Sequence, residues 1–201
     1  VAAAVIDHGL PAYLRDTDQG YAHEFIAMCP VSLRGDGDTT VGTKVSAMFV
    51  RLGQPEAAMA DRLAQVAHSV ATAKKELGAL SADAAMTYAV ALVALAGAGA
   101  STHLDRVGHP ACNLVISNVP GSNDIRYLNG ARLTGIFPVS ALAAAIGLNV
   151  TLSSYCNHMD FGFVANSAAI SDVHALAEHT RAAYAQLKLA DSRDGHRTEH
   201  G

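Results

Sequence analysis

An apolar run from Asn113 to Ile116 is halted by Val119-Pro120-Gly121, and this halt constrains the chain's geometry more than any other segment. The residue before a proline is held extended, and Pro-Gly suits the two central positions of a type II turn. Ser117 and Asn118 are thereby placed at a strand end, where polar side chains and backbone amides can face a cleft. Helical and strand-like patterns alternate on both sides of this point without an interior linker, so the fold class is α/β (α+β).

Val1 to Leu14 is Ala-rich and helical in pattern, begins without a capping residue, and contains Pro11, which predicts a kink or a break before it. Phe25 to Leu33 and Gly42 to Leu52 read as strands around a glycine-rich loop at Gly35 to Asp38, which lacks the further oxygen ligands of an EF-hand. Pro55 suits the first turn of a helix with Met59, Leu63, Val66, Ala67 and Val70 as its buried stripe. Its other face, with Arg62, Gln65, Ser69, Lys74 and Lys75, reads as solvated; the two lysines could alternatively touch acidic lipid headgroups or coenzyme A phosphates.

Ala84 to Ala100 is the most apolar run and sits at the lower length limit for crossing a bilayer. Ser81 as N-cap and Gly97 and Gly99 at the far end fit a buried soluble helix instead, one that could border a lipid-filled groove. Four further strand patterns follow: Ala111 to Ile116, Ala131 to Ile136, Leu148 to Tyr155, and Phe161 to Ala165. Ser171-Asp172 caps a last helix with Val173, Leu176, Ala177, Tyr184 and Leu187 on its apolar face. One domain over 1–189 is expected, with a disordered polar tail at 190–201.

Half the residues are hydrophobic but only 5% aromatic, so the core must come from closely approaching helices and aliphatic strands. A net charge of −4 with no basic stripe excludes a nucleic-acid partner. Cys29, Cys112 and Cys156 are widely spaced and odd in number, which fits free thiols in a reducing cytoplasm and offers no zinc spacing. No metal site is expected. Cys156-Asn157-His158 is the nearest approach to a thiol–imidazole pair, but alternation along a strand would turn neighbouring side chains apart. Asp160-Phe161-Gly162 looks like a kinase metal triplet, yet no phosphate loop or catalytic Asp-Asn loop accompanies it.

Taken in order, Cys29-Pro30-Val31-Ser32-Leu33-Arg34, Ser117-Asn118-Val119-Pro120-Gly121, Pro138-Val139-Ser140, Gly147-Leu148-Asn149-Val150, Ser154-Tyr155 and Asp160-Phe161-Gly162 resemble the C-terminal region of the bacterial wax ester synthase/diacylglycerol acyltransferase family. The resemblance runs from about Val1 to Leu187. It implies a chloramphenicol acetyltransferase-like lobe, a two-layer sandwich of a mixed sheet packed by helices. Two positions depart from the pattern: His158 stands where a small residue is usual and Asn166 where an acidic one is common.

The superfamily carries a His-His-x-x-x-Asp-Gly motif in a first lobe, whereas the ten histidines here include no adjacent pair. The resemblance therefore implies no catalytic residue in this chain and a partner lobe bearing that motif. It also implies acyl transfer from acyl-CoA, as substrate and without a cofactor, to diacylglycerol or a long-chain alcohol, in the cytoplasm with peripheral contact at the inner membrane or lipid bodies. The expected substrate wall comprises Ser117, Asn118, Val119, Pro120 and Gly121 with Asn149, Ser153 and Tyr155, while Ile146 and Gly147 shape an acyl channel. A lipid-binding or lipid-storage-associated module without catalysis is the alternative expectation.

Overall fold

The computed structural model describes residues 1–19, 23–34, 44–81, 83–88, 90–91, 112–142 and 146–198, with side chains to residue 190. Its helices are α1 (Ala2–Asp16), α2 (Met59–Gly78) and α3 (Val173–Thr198). Its strands are β1 (Ile26–Ser32), β2 (Val45–Arg51), β3 (Leu114–Val119), β4 (Tyr127–Leu128), β5 (Ala131–Arg132), β6 (Leu148–Tyr155) and β7 (His158–Ala165).

Five strands form one sheet in the order β2-β1-β3-β6-β7, with β1, β3 and β6 parallel and an antiparallel strand at either edge. Leu114-Val115-Ile116 is unbrokenly apolar because a central parallel strand is covered on both faces. One face carries Ala27, Cys29, Val50, Leu114, Ile116, Leu148, Val150 and Leu152, which meet Ile6, Leu10, Tyr13, Val66 and Leu176 of the three helices. That helical layer makes the predicted two-layer mixed α/β sandwich.

Small residues set the helix spacing, as the composition requires. A Cβ on Gly9 of α1 would lie 2.7 Å from the Thr180 backbone of α3. The fully buried Tyr13 ties the same two helices together: its hydroxyl accepts from the Asp172 backbone N–H at 3.1 Å and lies 3.3 Å from Ser171 Oγ. Asp172 caps α3 as expected, its Oδ1 accepting from the His174 and Ala175 amides at 2.9 and 3.0 Å.

Pro11 does not end α1, which continues through it to Asp16. Without its N–H, the Asp7 carbonyl four residues back has no helical donor. Arg62 Nη2 supplies one, at 2.8 Å. Arg62 therefore does not lie on a solvated face: it is 5% exposed, and its Nε and Nη2 donate to the two carboxylate oxygens of Asp7 at 3.0 and 2.7 Å. Its Nη1 donates to the Gln54 carbonyl at 2.6 Å, while Asp7 Oδ1 also accepts from the Gly53 amide at 2.8 Å. The buried stripe of α2 is accordingly Arg62, Val66 and Ala73, with Leu63 turned to the surface, and the helix starts after Ala58 rather than at Pro55.

Other boundaries shift for legible reasons. β3 runs three residues beyond Ile116, because Ser117, Asn118 and Val119 pair with Thr151, Leu152 and Ser153. Ala131 to Ile136 gives only the short β5, joined to β4 by Asn129-Gly130 at φ +47° and +82°, a turn signal the apolar count overlooked. The α3 backbone continues to Thr198, through polar residues that the composition reads as a frayed end. Ser81 Oγ caps the helical residues 83–88 by accepting from the Ala84 amide at 3.3 Å; most of the apolar run to Ala100, and the Gly35 to Asp38 loop, lie outside the described residues. No helix among the described residues is long and apolar enough to cross a membrane.

All three thiols are free. Burial pushes the Cys29 thiol up to about 11 and raises Cys112 as well, since a thiolate is poorly solvated there. A thiol reagent at mildly alkaline pH will thus label the partly exposed Cys156 first and reach Cys29 only on unfolding, as mass spectrometry of the labelled chain would report. The contribution of neutral Cys29 to stability is complete below the unfolded thiol's pKa, ~8.5, and is lost as pH rises through about 11, because the unfolded chain ionises first.

Candidate functional site

The face of the sheet away from the helices carries the residues singled out by the sequence. Strand alternation puts Ser117 and Val119 on the side of Val115, and Asn149, Thr151, Ser153 and Tyr155 on the same side of β6. At one end of this face Cys112, Val115 and Ile146 form a second apolar cluster with Met28, Phe49 and Leu142. Ser153 and Tyr155 are 5% and 2% exposed despite lying opposite the helices. The segment between β3 and β6 covers part of this face.

That segment is held by the polar residues of β6 and β7. After Val119 the chain passes alongside the end of β6, where the Gly121 amide donates to Ser154 Oγ at 3.0 Å and the Cys156 amide to the Ser122 carbonyl at 2.9 Å. The Arg126 amide then donates to the Tyr155 hydroxyl at 2.8 Å, and the Ile136 amide to Asp160 Oδ2 at 2.8 Å. Further on, Ser140 Oγ lies 2.7 Å from Thr151 Oγ1, which donates its proton to Asn149 Oδ1 at 3.0 Å. A hydroxyl has one proton, so Ser140 is the donor to Thr151. Asn149 Nδ2 closes the ring on the Ala141 carbonyl at 3.2 Å.

Both motif glycines serve close backbone approach. Gly121 does not have the positive φ that a type II turn demands, so Pro120-Gly121 is not that turn. A side chain there is excluded for another reason: its Cβ would fall 1.9 Å from the Ser154 carbonyl oxygen. At Gly162 a Cβ would fall 1.7 Å from the Pro138 carbonyl oxygen. Asp160-Phe161-Gly162 is therefore a clasp for the crossing segment, with Asp160 taking a backbone amide and Gly162 making room for a backbone carbonyl.

The predicted wall residues thus divide. Ser117 and Ser153 share the face away from the helices, where Ser153 is buried, and neither hydroxyl has a hydrogen bond among the described residues. Asn118 is exposed and also without a side-chain bond among them, but it alternates to the helix side of β3, opposite Leu152. Val119 and Pro120 are exposed beside it. Asn149 and Tyr155 are engaged in holding the crossing segment. Ile146 packs in the second apolar cluster, and Gly147 lines a 120 Å³ apolar pocket on the helix side with Leu10, Leu14, Phe25 and Ile170. The sequence reading passed over Thr151, although the series Asn149, Thr151, Ser153, Tyr155 at every second position of an apolar strand is its signal.

Cys156 and His158 are not on successive faces of one strand. Cys156 occupies the β6–β7 turn at φ +49°, and the His158 ring meets Tyr155 edge-on at 5.6 Å. The left-handed position falls at Cys156, so a small residue at His158 is not required. Among the described residues no cluster of three or more His, Cys, Asp or Glu side chains could hold a metal ion.

A mixed sheet layered by helices on one face and spanned by a long segment on the other defines a lobe of the chloramphenicol acetyltransferase-like class. A starter condensation domain from rhizomide synthetase has this fold, with a TM-score of 0.50 at 16% identity over 94% of this chain and 41% of that one. The WS/DGAT C-terminal domain profile matches residues 41–188, and the chain belongs to that family, the wax ester synthases and diacylglycerol acyltransferases. A Mycobacterium tuberculosis relative named as a diacylglycerol O-acyltransferase is 35% identical over 97% of this chain. The O-acyltransferase WSD of Acinetobacter baylyi is 30% identical over 89%. The wax ester synthase/diacylglycerol acyltransferase structure from Marinobacter aquaeolei superposes with a TM-score of 0.79 at 25% identity, covering 94% of this chain and 42% of that one. The chain spans about 40% of the length of these relatives.

Proposed function

We propose that this chain forms one wall of an acyl-transfer cleft in a longer polypeptide that moves a fatty acyl group from acyl-CoA to the hydroxyl of diacylglycerol or a long-chain alcohol. The observation that carries the reading is the family match across residues 41–188. A base from the other lobe, expected in a His-His-x-x-x-Asp-Gly motif, takes the acceptor proton as its oxygen attacks the thioester carbonyl. The tetrahedral oxyanion then needs hydrogen-bond donors, and collapse expels the coenzyme A thiolate. Ser117 and Ser153 lie on one face with side-chain donors not used within the described residues, which suits them to that role, whereas Asn118, also unused, could reach the same group only from the strand end. The chemistry uses acyl-CoA as substrate and calls for no further cofactor.

Val139, Phe137, Leu128 and Tyr127 on the crossing segment are 85%, 79%, 80% and 65% exposed, apolar side chains available to a partner lobe. Peripheral contact with a membrane or lipid body from the cytoplasmic side belongs to the same reading, because both acceptors are poorly soluble in water. Liposome flotation that leaves the intact protein wholly in the soluble fraction refutes that part.

Release of the coenzyme A thiol by the full-length protein, with diacylglycerol or a fatty alcohol as acceptor, tests the proposal. The 201-residue chain alone is expected to show no turnover. Asn118→Ala in the full-length protein is expected to slow acyl transfer by more than ~10-fold if this amide holds the reacting group. Unchanged kinetics would remove Asn118 from the wall.

A further inference from the structure

On the helical side, α1, α2 and α3 line a second cavity of 290 Å³, open to solvent, whose lining includes Asp7, His8, Arg15, Arg62, His179 and Gln186. Its residues are not used in the acyl-transfer reading. His8 is the informative one: its side chain is 10% exposed, and Nε2 is buried with no partner among the described residues. A buried polar atom in that state costs free energy unless something in the cavity satisfies it.

The ring's other nitrogen fixes what that partner must be. Nδ1 lies 3.0 Å from the Ala4 carbonyl oxygen, which can only accept, so Nδ1 carries the proton. In the neutral ring Nε2 is then a lone pair facing the cavity and requires a donor. The charged side chains that line the cavity, Asp7, Arg62 and Arg15, sum to one positive charge. Asp7 is neutralised by Arg62, whose Nε, Nη1 and Nη2 bonds run to Asp7 and Gln54. His179 Nε2 is 3.3 Å from Asp16 Oδ2. Arg15 makes no ion pair or hydrogen bond among the described residues, leaving one unopposed guanidinium at the cavity wall.

A lone-pair acceptor and a free cation lining one cavity select an anion that still carries a proton. The geometry points to a binding site for a small protonated oxyanion, of which hydrogen phosphate is the simplest. It donates its P–OH to His8 Nε2 and sets its charged oxygens against Arg15. Sulfate has the same size and charge at neutral pH but no proton to donate. Pro11, Ala12, Pro55, Ala57 and Met59 complete the walls.

The test is titration of the intact protein at pH 7.5 with inorganic phosphate, reading the His8 imidazole nitrogens by long-range proton–nitrogen NMR. Saturable movement of the His8 Nε2 signal is expected, with sulfate moving it at least ~10-fold less effectively, as loss of a hydrogen bond to a charged group would give. Arg15 is surface-exposed, so Arg15→Ala should keep the fold and weaken phosphate binding about threefold or more, while Arg132→Ala on the distant β4–β5 hairpin should not. A His8 signal indifferent to phosphate, an equal response to sulfate, or undiminished binding by Arg15→Ala would each overturn the assignment.

Discussion

Gly162→Ala is expected to lift the crossing segment off the sheet and to disable acyl transfer in the full-length protein. The new Cβ would sit 1.7 Å from the Pro138 carbonyl oxygen, and both positions are backbone, so neither can swing aside as a flexible side chain would. Relief requires moving the 135–141 stretch, which breaks the Ile136 bond to Asp160 and strains the Ser140–Thr151–Asn149 ring. Overpacking of this kind costs about 1–3 kcal/mol. Denaturant unfolding measures that loss, and a thioester-release assay measures the activity, expected to fall by more than ~10-fold as a donor wall is displaced. Gly78→Ala is the control: a Cβ there meets nothing within 4 Å at the end of α2, and the change should stabilise by about 0.5–1 kcal/mol. Equal effects of the two substitutions would rule out the clasp.

Arg62→Met is expected to lower stability by about 3–5 kcal/mol, because it leaves the Asp7 carboxylate buried and uncompensated. It also strips the donor from the Asp7 carbonyl that Pro11 leaves without a helical partner. The double variant Asp7→Leu/Arg62→Leu should recover much of the loss, since removing both charges spares the desolvation penalty. Recovery will stay incomplete by about 1–3 kcal/mol, the cost of the orphaned carbonyl. Full recovery in the double variant, read from denaturation midpoints, would contradict the role assigned to Arg62 in sustaining a helix through proline.

Much of the architecture was legible because it rests on local periodicity. Leu148 to Tyr155 was read to the residue, since a buried strand between turn residues has one length and one period. The Ser171-Asp172 cap and the free cysteines were legible for the same reason: each is decided by neighbours in the chain or by residue count. Failures occurred where a distant group answered a local deficit. Pro11 predicts a break in the helix only so long as no donor reaches Asp7, and the donor lies 55 residues away. Arg62 reads as solvent-facing because an arginine among polar neighbours on α2 usually is; burial follows only from a carboxylate on another helix.

The candidate site divides along the same line. That Asn149, Ser153 and Tyr155 belong to β6, and that Ser117 and Asn118 stand at the end of the preceding strand, follows from the sequence pattern and its family resemblance. Parallel registration of those strands, with Ser117 opposite Thr151 and Val119 opposite Ser153, is a tertiary matter, because parallel neighbours are joined by long connections that no local turn can set in register. The sequence by itself determined the α/β class, the span of β6 and the cap of α3, whereas the need for glycine at positions 121 and 162 arises from the Ser154 and Pro138 carbonyls that approach them across the fold. Only the tertiary structure decided which polar side chains bind the crossing segment and which remain free, since a hydrogen bond depends on distances of a few tenths of an ångström between residues that the chain alone leaves unconnected.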